Sequence, residues 1–216
     1  MAGQSPGVAA ETRRSGAARR TRVSLWSVLR ADFRGFRALD KARPPSVARQ
    51  LDVLSLPGFW AVVLFRLSVA SRRAGLSPLA RLLYFANVVV FGADLSPRVV
   101  AGPGLTIPHP VGIGIGAGSR LGRNVLLLKG VTLGTAAAQN PEEDGFPTVG
   151  DDCKILDGAK LLGPIQVGAR AIIGANALVM RSVPAGAVVA ASPGRVVRIG
   201  SDQAPTPASA DQPDAG

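Results

Sequence analysis

Between Leu95 and Val183 an aliphatic residue returns at every sixth position. From Val149 the step gives Val149, Ile155, Leu161, Val167, Ile173 and Val179; upstream it gives Ile115, Leu121, Leu127 and Leu133, and before that Leu95, Ala101 and Ile107. The phase slips by two residues between Ile113 and Ile115 and breaks once more at a polar insertion, Thr135–Pro147. Small residues follow several of these positions, as at Gly150, Gly168 and Gly174.

A period of six belongs neither to a helix, which repeats near 3.6, nor to a half-buried strand, which repeats near 2. Sustained over many repeats, it is the signature of a β-solenoid. Each hexapeptide supplies one short strand and one corner, and three close a triangular coil. Val149 then stacks on Val167, its equivalent one coil later. Glycine suits the tight corners because it tolerates dihedrals that other residues do not. One coil cannot bury its own inner face, so coils must stack. About four fit the span, and the expected fold is mainly β, with all six side chains from Val149 to Val179 buried and Thr135–Pro147 projecting as a loop.

The 216 residues allow one domain with an appendage. The formal net charge is +11, and most of the excess precedes the solenoid. Residues 1–22 carry Arg13, Arg14, Arg19, Arg20 and Arg22 among Ala, Gly and Ser. They read as a disordered basic tail. No apolar signal-peptide core follows, so a cytoplasmic location is expected. No recognition motif or interleaved aromatics accompany the charge, which argues against nucleic-acid binding.

Residues 23–92 read as a helical appendage. Leu25, Val28, Leu29, Phe33 and Phe36 recur at helical spacing between Ser24 and Leu39, and Pro44-Pro45 ends that run. A second helix is expected from Phe59 to Arg73. A third should reach about Val90, with Ser77 as its N-cap and Pro78 in its first turn. Arg66, Arg72, Arg73 and Arg81 interrupt the apolar run, so no transmembrane span is predicted. The appendage serves either oligomerisation, burying Phe59, Trp60, Leu64, Leu82 and Leu83, or attachment to a membrane surface. The solenoid domain should span 93–200, with its loop at 135–147, and 201–216 should be a second disordered tail.

Cys153 is the only cysteine and sits in a small-residue slot of the repeat, as a buried thiol would; there is no disulfide framework and no Cys/His zinc pattern. His109 is the only histidine. It falls in Leu105-Thr-Ile-Pro-His-Pro-Val-Gly-Ile-Gly-Ile115, just before the phase slip. It stands two places after the inward Ile107, and Pro108 and Pro110 fix the backbone on both sides. Irregular backbone of this kind is frequent at functional sites.

Here the chain resembles the serine O-acetyltransferases of the hexapeptide-repeat acyltransferases. The shared residues are Asp94-Leu-Ser-Pro97, His109-Pro-Val-Gly-Ile113, Gly130-Val-Thr-Leu-Gly134 and Ile173-Gly-Ala-Asn-Ala177; Ser192-Pro193-Gly194-Arg195-Val196 matches in part. The likeness covers about residues 50–200. It implies a left-handed parallel β-helix, against the usual right-handed crossover preference, and acetyl transfer from acetyl-CoA, a cosubstrate, to a hydroxyl. It implies that His109 is the general base and Asp94 the carboxylate steering it. It also implies an acetyl-CoA groove between coils, often between subunits, at Gly134, Asp157, Gly158, Ala175 and Arg195. A homotrimer or a dimer of trimers follows by the same resemblance.

On the acceptor side the chain departs from that pattern. Pro108 stands where serine-specific members carry an aspartate, and Gly145-Phe146 where they carry Arg-His before the proline that re-enters the solenoid. Serine's ammonium and carboxylate both want charged partners, so Pro108 and Phe146 would form an uncharged acceptor pocket. Two acceptors stay open: L-serine, giving O-acetylserine for cysteine biosynthesis, or a sugar or other non-serine hydroxyl. A non-catalytic solenoid scaffold is the third reading. A zinc centre of three histidines is excluded by the single His109. The chain ends in Asp214-Ala-Gly216 rather than the isoleucine usual where the family docks into cysteine synthase, so that docking is not expected.

Overall fold

The computed structural model describes residues 24–39, 47–136 and 145–194, with 47–49 seen as helical backbone. The basic tail, Pro44-Pro45, Arg195 and the stretch 201–216 lie outside the described residues.

Among the described residues four helices precede the solenoid: α1 (Leu25–Arg37), α2 (Val47–Ser55), α3 (Pro57–Arg73) and α4 (Ser77–Phe91). Ser24 caps α1, its hydroxyl accepting from the Ser27 amide. α2 was not expected from the sequence. At nine residues it is too short to show a clear period, and its buried apolar anchor is Val53. α4 differs at its start: Leu76 is the N-cap, without a side-chain cap, and Ser77 is already helical. Gly92, left-handed at φ +63°, ends it.

Thirteen short strands follow among the described residues, wound into three parallel sheets that form the faces of a triangular prism. The first face stacks β1 (Asp94–Leu95), β3 (Gly114–Ile115), β6 (Thr132–Gly134), β9 (Lys160–Leu162) and β12 (Leu178–Val179). The second stacks β2 (Val100–Ala101), β4 (Arg120–Leu121), β7 (Thr148–Val149) and β10 (Gln166–Val167). The third stacks β5 (Leu126–Leu127), β8 (Lys154–Ile155), β11 (Ile172–Ile173) and β13 (Val188–Val189). The result is four full coils and a shortened fifth. Every inward position of the six-residue step is buried except Ala101, which is half-buried. Cys153 is buried as its slot required.

The irregularities fall at corners. Leu95 pairs with Ile115, but Ile115 pairs with Leu133. The first coil is therefore two residues longer, and its extra residues lie between Ile107 and Ile113, around His109. Leu133 pairs with Leu161, so the third coil carries a ten-residue insertion, whose residues 137–144 lie outside the description.

The helices pack on the open end of the prism and share its core. Phe36, Val53, Phe59, Ala61, Val62 and Phe65 are buried with the solenoid aliphatics. Phe33 and Phe36 each meet Phe59 edge-to-face at 5.7 Å. A buried ion pair ties this cap to the first coil. Arg66 Nε donates to Asp32 Oδ2 at 2.8 Å, and its two terminal nitrogens donate to the carbonyls of Ala101 and Gly102. Asp32 Oδ1 accepts from the amides of Gly104 and Leu105 at 2.8 and 2.9 Å. Within the single chain Phe59 is buried and Leu64 and Leu83 are half-buried, but Trp60 and Leu82 are 46% and 63% exposed.

Candidate active site

The edge between the third and first faces carries most of the residues singled out for chemistry. Its corners turn through Gly112, Gly130, Gly158 and Asn176, all left-handed, with φ between +57° and +74°. They stack directly: the Gly130 amide donates to Val111 O, Gly158 to Lys129 O and Asn176 to Asp157 O, at 2.8–3.1 Å. Asp94, the His109 corner, Asp157, Gly158 and Ala175 therefore line one side of the prism.

The longer first coil pushes His109 outward. Pro108 and Pro110 are buried, while His109 is exposed. Helices hold this corner from two sides. Gly58, in the first turn of α3, lies so close to the Ile107 and Pro108 carbonyls that any Cβ would collide with them. At the other side the Gly112 amide donates to Gly92 O at 2.9 Å. Asp94 begins β1 beside the corner, its amide donating to Ile113 O at 2.9 Å.

The exposed Asp94 carboxylate has a partner that sequence reasoning missed. Tyr84, on α4, donates its hydroxyl to Asp94 Oδ1 at 2.8 Å. Burial raises the Tyr84 phenol pKa above its ordinary value, and the hydrogen bond to Asp94 and the carboxylate's charge push the same way. Tyr84 is the chain's only tyrosine, but nothing in an apolar helix indicated which way it faces. Gly58 stands just before the helix expected from Phe59, with no local sign of what it packs against.

Gly134 and Phe146 lie elsewhere, on the edge between the first and second faces. The Phe146 ring packs on the Gly116–Gly118 corner, filling space that two missing Cβ atoms leave open. Within one chain they are thus not grouped with His109. Among the described residues no His/Cys/Asp/Glu group could hold a metal ion, and no helix is long and apolar enough to cross a membrane.

The stacked hexapeptide coils are those of the hexapeptide-repeat acyltransferases; His109 stands exposed at the widened corner, and Asp94 opens the strand that adjoins it. The family model for bacterial transferase hexapeptides (six repeats) matches residues 146–181. Serine acetyltransferase of Mycobacterium tuberculosis is 37% identical over 173 residues, 80% of this chain and 73% of that one. The Synechococcus elongatus enzyme is 34% identical over 174 residues, 80% and 69% of the two chains. Among solved structures, Neisseria gonorrhoeae serine acetyltransferase in complex with serine superposes with a TM-score of 0.69 at 31% identity, covering 80% of this chain and 68% of that one. The soybean apoenzyme gives 0.70 at 32% identity, with 81% and 69% covered. The chain belongs to the serine acetyltransferase family, and its β-helix is left-handed, as the resemblance implied.

Proposed function

We propose that this protein transfers the acetyl group of acetyl-CoA to the hydroxyl of L-serine, giving O-acetylserine for cysteine biosynthesis in the cytoplasm. The observation that carries the reading is the shared edge: a solvent-facing His109 beside Asp94, continued along the coils by Asp157, Gly158 and Ala175. A hydroxyl attacks a thioester poorly unless its proton is taken as the bond forms. His109 takes that proton as the new C–O bond forms, and then returns it to the departing CoA thiolate. Asp94 holds the ring's tautomer and offsets the imidazolium charge. Gly158 and Ala175 let a pantetheine arm approach the backbone. Asp157 would border the same groove, and Arg195 would pair with CoA phosphate. Exposed Lys129, one coil along the same edge, supplies a cation for serine's carboxylate that the missing Arg-His does not.

Residues 23–92 act in this reading as an oligomerisation appendage to the transfer domain at 93–200. In a three-fold ring each copy presents a different edge to its neighbour. The edge bearing Gly134 and Phe146 would then face the neighbour's His109 edge, and the site is completed between subunits.

One observation favours a second acceptor. Pro108 and Phe146 are uncharged, and an aromatic ring suits the C–H face of a sugar. Thiol release from acetyl-CoA, measured with L-serine and then with a panel of neutral sugars, separates the two. Turnover with serine at sub-millimolar KM supports the first; turnover with a sugar alone replaces it.

A further inference from the structure

We propose that Tyr84 is a positioning residue for acetyl transfer, holding the Asp94 carboxylate in the orientation that serves His109. The inference rests on the assignment of His109 and Asp94 as base and steering carboxylate. Asp94 opens β1 on the exposed edge, where an aspartate side chain otherwise samples several rotamers. The hydroxyl of Tyr84 donates to Oδ1 at 2.8 Å. That bond occupies Oδ1, so in this proposal Oδ2 is the oxygen that accepts the imidazole N–H during transfer. Tyr84 is itself half-buried on α4, which packs along α3, so the phenol has fewer open conformations to lose. A hydrogen bond to an ionised group is among the stronger kinds. The contact also gives the helical appendage a direct role in the chemistry, since α4 ends at Gly92, whose carbonyl accepts from the His109 corner through Gly112.

The test is a double-mutant cycle on the full chain, read as steady-state thiol release from acetyl-CoA. Tyr84→Phe should lower kcat about tenfold with KM for acetyl-CoA unchanged, because the lost group acts on the base and not on cosubstrate binding. In an Asp94→Ala background the same substitution should have almost no further effect, since the side chain it orients is gone. Tyr84→Gln keeps an N–H donor on the same helix face and should retain more activity than Tyr84→Leu. Equal fold losses from Tyr84→Phe in both backgrounds would overturn the proposal, showing that Tyr84 acts only through the fold. So would an unchanged kcat in Tyr84→Phe while Asp94→Asn is impaired. An Asp94→Asn enzyme with full activity would instead overturn the steering role of Asp94, and the proposal with it.

Discussion

His109 reaches solvent because its two neighbours do not: Pro108 and Pro110 are buried and hold the backbone that presents it. If it is the base, His109→Ala lowers kcat by about 10²–10⁴-fold with little change in acetyl-CoA binding. Asp94→Asn costs less, because it disturbs the base without removing it. Steady-state kinetics on both variants checks the order. Cys153 makes a separate prediction. Burial pushes its thiol pKa up, and Sγ lies 3.1 Å from the Gly168 carbonyl oxygen. The thiolate is therefore scarce and shielded at pH 8. Iodoacetamide should leave the native protein unlabelled over the time that labels it fully in guanidinium; equal rates would contradict this. At this scale the sequence was legible where a residue broke a pattern. His109 stood beside a phase slip, and Cys153 occupied a small-residue slot. Tyr84 and Gly58 broke no pattern, and their partners lie across a tertiary contact that no local period encodes.

At the scale of elements, the strands were legible and the helix packing was not. A strand of two residues has no propensity signal of its own, yet the six-residue step located it because every coil repeats the same inward slot. The helices read as apolar stretches, and α2 escaped because its nine residues span only about two and a half turns. Beside the shared apolar core, a polar tie seats the helices on the prism: the Asp32–Arg66 pair, joined to the carbonyls of Ala101 and Gly102 and the amides of Gly104 and Leu105. The sequence shows only two charges thirty-four residues apart. Asp32→Ala leaves a buried guanidinium without its carboxylate and two amides without their acceptor. It should destabilise the fold by about 3–5 kcal/mol. In a chain of this size each kcal/mol lowers Tm by about 2–4 °C, so calorimetry should find Tm lower by roughly 6–20 °C. A change within 2 °C would show that the appendage is held by its apolar contacts alone.

The whole molecule leaves apolar surface unmatched. Leu79, Leu82, Phe85, Val89 and Val90 are exposed along α4, as are Trp26, Leu54 and Trp60 on the neighbouring helices. Exposed apolar side chains recurring along one helix in this way mark an interaction surface. With Gly134 and Phe146 on a different edge from His109, it supports a site completed by a second copy. Light scattering at micromolar concentration should find three or six times the 22.1 kDa chain; a monomer would contradict the shared site. The measurement that bears most directly on the whole account is thiol release from acetyl-CoA with L-serine as acceptor, run on the wild-type protein and on His109→Ala. The account predicts serine-dependent release at sub-millimolar KM in the wild type and a loss of about 10²–10⁴-fold in the variant. Equal rates in the two proteins, or no release with serine in the wild type, would contradict it.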